Sequence, residues 1–188
     1  MPPLLQGPRV TLRPPLEADI DVRLELGNDP DIHRFYGGSR ADLQPLTRAG
    51  AESWYRRLAA LPCGWVIEHR RLIGEIRLDN INLSDGRAGL AVGIADATAL
   101  GRGLGTEAIG LVADYAFGAM GLHRIGVRVL AFNARAIRAY EKCGFRVEGR
   151  ERESALIDGA WHDDIIMGLL ADEHRFPAST PPSALSRP

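Results

Sequence analysis

The run Gly89 to Ala95 is apolar and strand-like, and Leu100-Gly101-Arg102-Gly103-Leu104-Gly105-Thr106-Glu107-Ala108 follows it with three glycines in five residues. Leu104, Ala108, Leu111 and Tyr115 then recur at helical spacing, so a helix starts inside the motif and runs to about Ala119. After Gly121, the segment His123 to Leu130 carries apolar residues at alternate positions, the mark of a second strand. A strand, a long helix and a strand form a crossover unit. The two strands must then lie parallel, with the glycine loop at the carboxyl end of the first. Ligands of open α/β sheets bind at that end. Without Cβ atoms the loop backbone approaches a ligand closely, and the first helical N–H groups have no partner inside the helix. The unit is therefore an anion site, and phosphate is its natural guest.

The rest of the chain is read around this unit. Arg9 to Arg13 alternates and stops at Pro14-Pro15, as a short edge strand does. Glu17 to Asn28 reads as a helix ending before Asp29-Pro30, with Glu17, Asp19, Asp21 and Glu25 on a solvated face. Phe35 to Ser39 reads as a turn or loop, and Leu46 to Leu61 as a second amphipathic helix. Trp54, Tyr55 and Leu58 on that helix either pack in the core or line a pocket. From Gly64 the period becomes two, giving strands at Trp65 to Glu68, Leu72 to Leu83 and Ala88 to Ile94, an antiparallel meander with a turn at Ser84-Asp85-Gly86-Arg87. Asn133 caps a helix over Ala134 to Lys142, and two further strands, Arg146 to Leu156 and Trp161 to Leu170, flank Asp158-Gly159. The expected architecture is α/β: one central mixed, mostly antiparallel sheet of about six or seven strands with about four helices. A single domain is expected over residues 1–176, followed by a Pro/Ser-rich tail over residues 177–188.

Bulk properties exclude several classes. The 188 residues carry 23 Lys plus Arg against 24 Asp plus Glu, so no global field points to nucleic acid or an anionic membrane as partner. Cys63 and Cys143 are too few for a disulfide framework, and the five histidines are scattered, so neither a disulfide nor a metal is expected. The first residues lack a basic segment followed by an apolar run, and the expected location is the cytoplasm.

The glycine motif departs from two better-known phosphate loops. A dinucleotide fingerprint needs glycine where Thr106 stands, and no Gly-Lys-Ser/Thr follows as in a P-loop. Asn133 and Tyr140 lie seven residues apart, about two helical turns, so their side chains point to nearly the same side of one helix. Taken singly, Asn133 reads equally as a helix cap and Tyr140 as a core residue with a wet hydroxyl.

Taken together, Gly101 to Ala108 and the run Leu130-Ala131-Phe132-Asn133-Ala134-Arg135-Ala136-Ile137-Arg138-Ala139-Tyr140-Glu141-Lys142-Cys143-Gly144-Phe145 resemble the GNAT superfamily of acyl-CoA-dependent N-acetyltransferases. Arg9 to Pro14, Leu72-Ile73-Gly74-Glu75 and Asp158-Gly159-Ala160-Trp161-His162-Asp163 are similar to the branch that includes ribosomal-protein N-terminal alanine acetyltransferases. The resemblance implies a GNAT fold and acetyl-CoA as co-substrate, its pyrophosphate cradled around Arg102, Gly103, Gly105 and Thr106. It implies backbone pairing of the cofactor arm at Ile94 and Ala95, a bond from Asn133, and Tyr140 as general acid toward the departing thiolate. The family's usual glutamate base falls at Gly89, so Glu75 is the substitute candidate, with Asp79 and Glu153 behind it and a water relay as a further route. The implied partner is an amine acceptor, either a protein N-terminus or a small molecule, and a homodimer is plausible by resemblance alone. The missing base keeps an alternative alive: a non-catalytic acyl-CoA-binding or regulatory module.

Overall fold

A computed structural model describes residues 1–174, so the expected tail lies outside the described residues. One open sheet of eight strands runs through the molecule in the order β1-β2-β3-β4-β5-β6-β8-β7. Its strands are β1 (Leu5–Gln6), β2 (Thr11–Arg13), β3 (Gly64–His69), β4 (Arg71–Asn82), β5 (Arg87–Ile94), β6 (Arg124–Leu130), β7 (Arg146–Ile157) and β8 (Ala160–Leu170). Five α-helices accompany it: α1 (Asp19–Leu26), α2 (Pro30–Phe35), α3 (Arg48–Ala59), α4 (Leu104–Asp114) and α5 (Ala134–Lys142). α4 continues into a π-helical turn over Tyr115–Ala119. The sheet thus has more strands than the expected six or seven; the two-residue β1, which pairs Leu5 with Leu12, is too short to leave a periodic signal.

Every neighbouring pair is antiparallel except β5 with β6, the crossover pair. α4 covers one face of the sheet. There Ile76, Leu78 and Leu90 from the strands meet Leu104, Ala108, Ile109 and Val112 from the helix, all buried. A smaller cluster of Trp54, Leu58, Val66 and Leu72 joins α3 to the opposite face. Along β4 the period of two divides the chain chemically: Ile76 and Leu78 enter the α4 core, whereas Glu75, Arg77 and Asp79 face the side of α1 and α3.

Two expectations for the first helices are corrected. Asp19 is buried, not solvated, because Arg13 reaches it with both terminal nitrogens (2.7 and 2.8 Å) and the Leu16 amide donates to it at 2.7 Å. The segment Asp29-Pro30 does not merely end a helix. Asp29 caps α2, accepting from the amides of Asp31 and Ile32 at 2.9 Å, and Pro30 occupies the first position, where its missing N–H costs nothing.

Candidate active site

The parallel pair is joined over only three residues, Arg87 to Gly89 opposite Arg124 to Gly126. Beyond Gly89 the two strands splay apart and leave a cavity of about 560 Å³, bounded by Leu90, Val92 and Ile94 on one side and Val129 and Leu130 on the other. The glycine loop forms one end of it. Gly101 (φ 73°) and Gly103 (φ 78°) hold left-handed backbone that a Cβ would strain. Gly103 is the N-cap of α4 and supplies no side-chain acceptor, so the first amides of the helix remain uncapped beside the cavity. Gly105 has a different reason. A Cβ there would meet Ile94 at an ordinary 3.7 Å, so packing does not demand glycine; its effect is to leave the first turn of α4 bare toward the cavity.

The loop is braced by a residue far away in sequence. Arg9 donates to the Arg102 carbonyl at 2.9 Å and pairs with Glu107 at 2.7 Å, while the amides of Arg9 and Val10 also donate to Glu107. Burial alone would raise the Glu107 pKa, but these bonds outweigh it and hold the carboxyl below its ordinary range. The Arg102 side chain is itself exposed. Opposite the loop, Arg128, Arg135, Arg138 and Lys142 line the cavity against one carboxylate, Asp164, which Arg128 already engages. An uncapped helix N-terminus facing a cationic wall suits a polyanion.

α5 brings two expected residues into the same cavity. Asn133 caps the helix by accepting from the Ala136 amide at 3.1 Å, and among the described residues its Nδ2 donates to nothing. Tyr140 is 5% exposed and packs against Phe145, yet among the described residues its hydroxyl has no hydrogen-bond partner and is not sealed from the cavity. Burial, reinforced by Tyr36 and Cys143, raises its pKa, so the phenol stays protonated and can serve as a proton donor. Cys143 donates to the Thr106 carbonyl (3.4 Å), and burial pushes its thiol up to about 11, so it is no nucleophile at neutral pH.

A second cavity of about 290 Å³ adjoins the first and shares Ile32, Tyr36, Ala91, Val92 and Ile94 with it. Glu75 lines this one, 16% exposed, and stands opposite Gly93 on β5. Trp54 Nε1 donates to its Oε2 and Arg77 to its Oε1 (3.1 Å), with Arg57 at 3.9 Å. Trp54 therefore both packs in the core and lines the pocket. At the junction sits Tyr36, 57% exposed as a residue, with its hydroxyl tucked against β5. It donates to the Val92 carbonyl at 3.4 Å and receives the Ile94 amide. Burial of that hydroxyl end, and then the charge of Glu75, push it up to about 12.

A model of the acetyltransferase (GNAT) domain matches residues 9–146. The chain belongs to the GNAT acetyltransferase family. Curated relatives include a Bacillus subtilis protein described as a probable N-acetyltransferase, YjcK, 37% identical over 53% of this chain and 55% of that one. The spermidine N(1)-acetyltransferase of Vibrio cholerae is 32% identical over 56% of this chain and 60% of that one. The GNAT chain thus spans little more than half the length of these relatives. Among solved structures, the Vibrio cholerae spermidine N-acetyltransferase in complex with CoA and spermine matches with a TM-score of 0.74 and 26% identity, covering 89% of this chain and 98% of that one. A GCN5-related N-acetyltransferase from Brucella melitensis shares the fold with a TM-score of 0.77 at 21% identity.

Within this GNAT domain the expected residues divide. The loop glycines, Thr106, Asn133 and Tyr140 line the splay, Ile94 lines both cavities, Glu75 and Ala95 line the adjoining one, and Arg102 lines neither. The Ala95 amide already donates to the Ile73 carbonyl at 2.8 Å, so it is not open to the backbone pairing that the resemblance implies; the β5 polar edge at the splay is Val92 O and Ile94 N, both engaged by Tyr36. Asp79 pairs with Arg77 and lines neither cavity. Glu153 lies exposed in a bulge of β7, its amide bonded to Asp163, and is also remote. Arg9, Tyr36 and the cationic α5 face were missed from sequence. Only the last left a signal, the spacing of Arg135, Arg138 and Lys142 beside Asn133.

Proposed function

We propose that this protein is an acetyl-CoA-dependent N-acetyltransferase that passes an acetyl group directly to a primary amine. One observation carries the reading: the uncapped α4 N-terminus, Asn133 Nδ2 and the Tyr140 hydroxyl converge on one splay-formed cavity that opens into a second at Tyr36. The residues fit acetyl-CoA. The amides at Gly103 to Thr106 would hold the pyrophosphate, Arg135, Arg138 and Lys142 would neutralise phosphate charge, and Asn133 would hold the arm, joined by the Ile94 amide once Tyr36 releases it. When bound, acetyl-CoA supplies the thioester that an amine attacks. Tyr140 Oη then gives its proton to the leaving sulfur, and Glu75, directly or through water, takes the proton released by the amine.

The acceptor side follows from the second cavity, where an amine would meet Glu75 and Tyr36. The spermidine acetyltransferases among the relatives support a primary amine as nucleophile. The reading is tested by thiol release from acetyl-CoA over a panel of amines and peptides. Turnover that Tyr140→Phe abolishes supports it. Calorimetric binding of acetyl-CoA without turnover on any acceptor would favour the non-catalytic module that Gly89 suggests.

A further inference from the structure

Charge in the second cavity is uneven. Arg23 from α1, Arg57 from α3 and Arg77 from β4 line it, against the carboxylates of Asp29 and Glu75. Asp29 is spent as the cap of α2, and Glu75 is engaged by Trp54 and Arg77. Arg23 is spent too, on the Gly27 carbonyl and Asn28. Arg57 differs. Its side chain is 59% exposed, its one ion pair to Glu75 is a long 3.9 Å, and among the described residues it donates no hydrogen bond. A guanidinium left open in a small cavity with apolar walls of Ile32, Leu72 and Ile94 is a fork for a planar or tetrahedral anion.

We infer that the acceptor is a small amine bearing its own carboxylate or phosphate, the amine directed to Glu75 and Tyr36 and the anion held by Arg57. This inference rests on the transfer reading above and narrows it. A polyamine would bring its remaining cations against the open guanidinium of Arg57. Arg57 and Glu75 lie 3.9 Å apart, so amine and anion must be separated by only a few bonds.

The experiment uses the full chain and four acceptors: β-alanine, phosphoethanolamine, ethanolamine and spermidine. Expected is a kcat/KM for β-alanine or phosphoethanolamine at least about tenfold above both ethanolamine and spermidine, the equivalent of one charge-assisted contact. The first two acceptors separate carboxylate from phosphate. In Arg57→Gln, a change at an exposed side chain that spares the core, the anionic preference should fall about tenfold by the same measure. Equal or better transfer to spermidine or ethanolamine, or a preference that survives Arg57→Gln, overturns the inference and leaves the transfer reading standing. If acetyl-CoA binds but none of the four is acetylated, transfer itself is decided by the wider panel of amines and peptides and the pocket is judged by binding. Calorimetry on CoA-saturated protein then supports the inference if the anionic amines bind more tightly than spermidine, and overturns it if they do not.

Discussion

A Cβ on Gly93 would stand 2.5 Å from the Tyr36 hydroxyl. The bare backbone of β5 and the phenol of a residue 57 positions earlier are therefore fitted to each other where the two cavities meet. Gly93→Ala should push the hydroxyl off Val92 and Ile94 and lower kcat/KM. Tyr36→Ala should lower it as well, and the double variant should be no worse than the poorer single one. A double-mutant cycle checks this: additive losses would mean that the two sites do not act as a unit.

Tyr140→Phe removes only the proton to be donated. Its kcat should fall by about 10²-fold or more, the ordinary scale of general acid catalysis, while acetyl-CoA affinity measured by calorimetry stays within about twofold. Because burial raises the Tyr140 pKa, the acid form persists as pH rises through the alkaline range. The wild-type kcat should therefore show no falling limb below about pH 10, the ordinary tyrosine value. A limb near pH 8 would assign the proton to another group.

Two of the loop glycines should separate by experiment. Gly103→Val places a branched side chain at φ 78° and should lower both stability and acetyl-CoA affinity. Gly105→Val adds bulk toward the cavity from a helical backbone, so it should cut acetyl-CoA affinity by about tenfold or more, about 1.4 kcal/mol, with a much smaller shift in Tm. Equal Tm losses in the two variants would contradict the distinction.

Glu107 links the amino-terminal segment to α4. Its carboxyl is depressed in the fold, so its contribution to stability is present in full above the unfolded value near 4.3 and is lost as pH falls through the lower folded value. Glu107→Gln should cost about 1–3 kcal/mol at pH 7, since charged hydrogen bonds to Arg9 and Val10 are weakened. Urea unfolding at pH 7 and pH 3 should show the gap between wild type and variant closing at the lower pH.

The elements that were legible in the sequence are those whose signal is local. The alternation in β3 to β5, the glycines before α4 and the seven-residue spacing of Asn133 and Tyr140 need no knowledge of partners. α2 was hidden because Asp29-Pro30 serves equally as the stop of one helix and the cap and first residue of the next. Asp19 looked solvated because its partner, Arg13, belongs to the preceding strand. Tyr36 was illegible for a stronger reason: its hydroxyl is defined by β5 backbone atoms that are exposed only where β6 turns away. The Arg23, Arg57 and Arg77 wall likewise comes from three separate elements and exists only after folding.

The three-residue bond between β5 and β6 has a mechanical meaning. The sheet is two plates joined only at Arg87 to Gly89 and Arg124 to Gly126, five strands on one side and three on the other. A ligand laid along the open edge acts as a stitch that turns two plates into one. Occupancy should then be felt far from the ligand: amides in β4 and β8 should exchange more slowly together, and unfolding should become more cooperative as the seam closes.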